Sequence, residues 1–93
     1  MKVFEWNFEK NELLKKTRNI SFEDVLIAIS ENKILDILEH HNQTKYPNQK
    51  ILVVEINDYA YLVPFIEDKQ KIFLKTIIPN KKATKNYILK SKK

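Results

Sequence analysis

Apolar and polar positions divide the chain into a helical block, a block of short strands and a closing helix. Phe8, Leu13 and Leu14 make a thin apolar stripe over about residues 8–16. Asn7 is placed to cap that helix, and Glu9 and Glu12 lie near its positive end. The next helix is better specified. Ser21 can cap it, Asp24 stands where a capping-box carboxylate belongs, and Ile20 can staple onto Val25. Phe22, Val25, Leu26 and Ile29 keep helical spacing as far as about Asn32. Ile34-Leu35-Asp36-Ile37-Leu38 suits either a continuing helix or a short strand, and the polar run from His40 to Lys50 reads as a loop.

Beyond that loop the period changes. Ile51 to Ile56 is rich in β-branched residues, Tyr59 to Phe65 alternates with aromatic residues, and only Asn57-Asp58 separates them, which predicts a hairpin. Pro64 has no N–H to give a ladder, so it is expected at a sheet edge or beside a bulge. A third run, Lys71 to Ile78, completes an antiparallel meander. Pro79-Asn80 ends it, and Asn80 can cap a last helix over residues 81–90, where Ala83 and Tyr87, and Thr84 and Ile88, fall four apart. The expected fold class is α+β: two N-terminal helices on an antiparallel sheet of three to four strands, with a short C-terminal helix. The final Ser91-Lys92-Lys93 is expected to fray.

The 93 residues leave room for one small domain with a single modest core, which excludes a two-domain enzyme. The chain has no glycine, which removes the phosphate cradles of P-loops and dinucleotide-binding turns. It has no cysteine, which excludes disulfides, thiolate zinc sites and a cysteine nucleophile. The amino terminus lacks a signal-peptide core and no window is apolar enough to span a membrane, so a cytoplasmic protein without membrane association is expected.

Charge is uneven along the chain. Residues 1–68 carry 8 basic and 12 acidic side chains, whereas residues 69–93 carry nine lysines and no acid. A segment of that sign attracts RNA, DNA or a carboxylate-rich protein, through an interaction that weakens steeply with salt.

Two segments carry a family resemblance. Phe4, Glu5, Trp6, Lys10, Ser21, Phe22 and Glu23 match, at the same spacing, the amino-terminal pattern of BrnT-like toxins. Ile77 to Thr84 is similar to that family's closing segment, with Lys81 and Lys82 in its two basic positions before Ala83-Thr84. The resemblance implies a RelE-like fold over the whole of residues 1–93. It also implies the role of toxin in a bacterial type II toxin-antitoxin pair, cleaving RNA without metal or cofactor until a cognate DNA-binding antitoxin neutralises it. The chain departs from the pattern at Asn7, Leu14 and Arg18-Asn19, and it carries lysines where arginines are usual.

Cleavage through the 2′-hydroxyl needs a base for that hydroxyl, cations on the non-bridging oxygens, and an acid for the leaving 5′-oxygen. Lys81 and Lys82, adjacent at a helix start, are the primary phosphate candidates. Lys10 is a third catalytic candidate if its helix end abuts the sheet. His40, beside His41, offers a group that titrates near neutrality. Lys75, read as lying within the last strand with Phe73 and Ile77 on its face, is an RNA-binding candidate together with Lys85 and Tyr87. Tyr59, Tyr61 and Phe65 alternate on one strand face, either as core or as a stacking platform, and Trp6 is assigned to the core. No spacing suits a metal site. Two rivals stand beside the nuclease: a catalytically weak or inactive module that binds and tunes a DNA-binding antitoxin, and a bare nucleic-acid-binding domain.

Overall fold

The computed structural model describes residues 2–39, 44–45 and 48–90, and its sheet grows outward from the Asn57-Asp58 turn. Both turn residues take left-handed φ, 54° and 63°, the combination of a type I′ turn whose twist matches that of its strands. On either side β3 (Gln49–Ile56) and β4 (Tyr59–Glu67) pair antiparallel from Ile56 with Tyr59 to Gln49 with Ile66. β2 (Ile34–Glu39) pairs antiparallel with the far side of β3, which settles the ambiguous Ile34 run as an edge strand.

β4 is flanked on its other side by β5 (Lys71–Leu74) and, further along, by β6 (Ile78–Pro79). The expected single strand over residues 71–78 is therefore interrupted. Pro64 supplies the reason: Lys75 N–H donates to its carbonyl at 2.8 Å, but Pro64 has no N–H to return the second bond of the pair. Pro64 thus sits in a central strand, beside the gap in its neighbour.

The expectation of three to four antiparallel strands is corrected by β1 (Val3–Trp6), which pairs parallel with β5. Among the described residues the sheet has six strands, in the order β1-β5-β4-β3-β2 with β6 on β4. Four residues are too few to display a period, and β1 is held instead by what it reaches. Phe4 and Trp6 turn inward, and Glu5 pairs with Lys71 at 3.3 Å. The architecture is α+β.

Successive residues of β3 separate two cores. Leu52 and Val54 face α1 (Phe8–Arg18) and α2 (Phe22–Ser30), which bring Leu14, Phe22, Val25 and Ala28 onto that side. Trp6 stacks on Phe22 there, with ring centroids 5.5 Å apart. Val53 points to the opposite face and meets Ala60, Ala83 and Ile88. The latter two belong to α3 (Lys81–Ala83) and the π-helix Thr84–Leu89 that continues it. No helix is long and apolar enough to cross a membrane among the described residues.

The caps form as their residue types predict. Asn7 accepts from Lys10 N–H at 2.8 Å, and Ser21 with Asp24 closes a capping box. The stripe on α1 differs from its reading, because Phe8 and Leu13 are largely exposed and the buried partner of Leu14 is Asn11. Asn11 is 2% exposed, accepts from Phe22 N–H at 2.8 Å and donates to Glu23 Oε1 at 2.9 Å. That donation is the main reason the Glu23 carboxyl titrates below the usual range. Asn11→Ala should leave the buried Phe22 N–H without an acceptor and cost about 1–3 kcal/mol. Urea unfolding of the variant checks this, and an unchanged midpoint would remove Asn11 as the joint between the helices.

Candidate functional site

The lysine pair owes its position to Ala60, near the start of β4. Past Pro79 the chain stays extended for one more residue, and Asn80 N–H donates to Ala60 C=O at 3.0 Å. The Asn80 side chain then caps the helix by accepting from Ala83 N–H at 2.7 Å. Four residues on, the Thr84 hydroxyl donates to Asn80 C=O at 2.8 Å and accepts from Ala60 N–H at 2.9 Å. Both polar groups of the Ala60 backbone are thereby satisfied by the helix that lies on it. Ala60, Ala83 and Thr84 are all buried, and their small size allows the close approach.

Asn80, Ala83 and Thr84 build the scaffold and leave Lys81, Lys82 and Lys85 exposed. Among the described residues none of these three lysines makes an ion pair. They rim a groove of about 620 Å³ that Tyr59, Thr84 and Leu89 complete. The groove joins cations to an apolar floor, and clefts of ~300–1,000 Å³ are large enough to hold a small ligand. A second hollow, of about 300 Å³, lies beside α2 and is lined by Asp24, Glu31, Glu55 and Asp58, with Lys33. Its sign is wrong for a phosphate.

The remaining candidates are dispersed. Lys10 lies in the first turn of α1, the helix packed on the opposite face of the sheet, and it does not line the groove. His40 lies outside the described residues. Lys75 is exposed in the interval between β5 and β6, with Nζ 3.4 Å from Gln49 Oε1. The alternation expected to give it Phe73 and Ile77 as same-face neighbours breaks there, because Ile77 turns fully into the core under α1 and α2. Arg18 holds that turn by donating to Ile77 C=O at 2.6 Å.

Tyr87 packs its ring on the smaller core and donates its hydroxyl to Asp36 Oδ2 at 2.6 Å. The other Asp36 oxygen accepts from Ile37 N–H at 2.8 Å. The hydrogen bond from Tyr87, followed by that from Ile37, lowers the Asp36 pKa, and the carboxylate in turn raises that of the Tyr87 phenol. Tyr87 thus ties the C-terminal helix to β2. Among the described residues no group of three or more His, Asp or Glu side chains is placed to hold a metal ion.

Sequence reading did not connect Tyr59 or Leu89 with the lysines. Thr84 did leave a trace, since a threonine four residues after a cap is positioned to bond back to the cap carbonyl. Compared with protein-family models, curated proteins and solved structures, the chain matched none.

The Tyr87 to Asp36 bond has a pH signature. The lowered Asp36 pKa means stability that is present above the usual carboxylate range and is lost as pH falls through the folded value. The raised Tyr87 pKa means stability that is present below the usual phenol range and is lost as pH rises through the folded value. Tyr87→Phe should therefore be less stable than the parent chain across neutral pH, with the gap closing at both extremes. Thermal midpoints of both proteins measured from acid to alkaline pH check this, and a gap independent of pH would contradict it.

Proposed function

We propose that the chain is the toxin of a bacterial type II toxin-antitoxin pair of the BrnT type, with a RelE-like fold, and that it cleaves RNA in the cytoplasm without a metal. The observation that carries this reading is the groove rimmed by Lys81, Lys82 and Lys85, three unpaired cations on a helix locked to the sheet. It lies within the segment of nine lysines and no acid, whose field draws a polyanion toward it. The resemblance places its two basic positions at Lys81 and Lys82.

In this reading the 2′-oxygen attacks phosphorus, the bond to the 5′-oxygen breaks, and the negative charge that gathers on the phosphate meets Lys81 and Lys82. A proton leaves the 2′-hydroxyl for a base, a role assigned to His40. A lysine ammonium returns one to the 5′-oxygen. Lys75 and Lys85 track the backbone on either side, and Lys10 acts from α1. The cognate DNA-binding antitoxin brings carboxylates to the same lysines and so competes with RNA.

One observation favours the second reading, a catalytically weak module that binds and tunes such an antitoxin. Lys10 and the Lys81-Lys82 pair belong to helices on opposite faces of the sheet, so the catalytic candidates do not converge among the described residues. Inducing the chain alone in bacteria separates the two, because growth arrest with cleaved RNA requires the nuclease.

Lys81→Ala with Lys82→Ala should abolish growth arrest, and RNA cleavage in a buffer containing EDTA, while barely moving the thermal midpoint. Exposed lysines contribute little to stability. Full toxicity of the double variant would remove the pair from the mechanism.

A further inference from the structure

We infer that Tyr59 and Leu89 form a nucleobase subsite beside the lysines, so that the groove takes single-stranded RNA with an unstacked base and rejects duplex. The inference rests on the RNA-binding reading of Lys81, Lys82 and Lys85 and specifies what they bind. Leu89 is 60% exposed although it belongs to the helix that covers the second core. The core therefore does not explain it. Tyr59 is half-buried and held edge-to-face by Tyr61, with centroids 5.7 Å apart and rings inclined at 63°. A ring fixed by its neighbour loses little freedom on receiving a second one.

The groove thus offers an apolar floor with an aromatic side chain and a rim of three positive charges. Its complement is a ligand that is flat and apolar in one part and anionic in the adjoining part. A nucleotide of a single strand has that form, since its base stacks and its phosphate pairs with lysine. In A-form duplex the base faces are stacked on one another, and only the backbone remains for the lysines. With no glycine in the chain, the phosphate must be met by these side chains rather than by a glycine-rich backbone cradle. An acidic amphipathic peptide shares the charge complementarity but gains less from an aromatic floor.

The test uses the full chain and three probes made of 2′-O-methyl RNA, which is not cleaved: a mixed-sequence single strand, its duplex, and the strand with abasic residues. Fluorescence anisotropy should show the single strand bound at least about tenfold more tightly than the other two. Tyr59→Leu should weaken the single strand to the same degree and leave the duplex unchanged, while Tyr59→Phe should retain parental affinity. Lys81→Ala with Lys82→Ala should weaken all three probes.

Equal binding of intact and abasic strands by the unaltered protein overturns the subsite, and that arm needs no variant to fold. Loss of binding in the lysine variant alone would overturn the subsite and leave the phosphate reading standing. No loss in either variant would overturn both. Tight capture of a poly-glutamate peptide carrying leucines, in place of the single strand, would assign the groove to protein and also overturn the subsite.

Discussion

The Thr84 hydroxyl is the contact on which the second half of the molecule depends. It is buried, it takes the Ala60 N–H that no strand claims, and it donates to the carbonyl of the residue that begins the helix. Without it an interior strand would hold an unsatisfied N–H and the helix would lose its anchor. Because that anchor is only four residues long, the side chains between Asn80 and Thr84 have their directions fixed. Ala83 goes to the sheet, and Lys81 and Lys82 go to water. A charged surface thereby acquires a definite geometry from buried groups that carry no charge.

The sheet itself follows from a conflict between Pro64 and the ladder. Pro64 faces Ile51 in one direction, where the pairing continues, and Lys75 in the other, where it fails. The interruption releases residues 75–77, turns Ile77 into the larger core and re-aims the chain so that β6 delivers Asn80 to Ala60. One missing N–H thus moves the chain from the side covered by α1 and α2 to the side that carries the lysines.

Features whose causes lie within a few residues were legible in the sequence: the caps at Asn7, Ser21 and Asn80, the hairpin turn, and the helix that presents Lys81 and Lys82. Those whose causes lie far away were not. β1 is a strand because Val3 meets Lys71, and no local period announces it. The break after Leu74 is written at Pro64, and its consequence appears in another strand. The groove escaped notice because Tyr59 and Leu89 are 30 positions apart and become neighbours only when the helix lies down on β4. The lysine roles were legible as charge, whereas the placement of Lys10 on the other face depends on how the sheet divides its two covers.

The absence of glycine extends beyond the phosphate site. Five described residues have left-handed or otherwise positive φ, and all are Asn or Asp: Asn19, Asn32, Asn48, Asn57 and Asp58. These are the side chains that best tolerate such a backbone, at some cost in the folded state. The compensation lies in the unfolded ensemble. Glycine would let each of these positions wander over nearly the whole of φ/ψ space, and a residue with a side chain narrows that freedom by about 0.4–1 kcal/mol wherever its native angles are accessible to it. The disordered chain therefore has fewer conformations to abandon at the very corners where it must reverse direction.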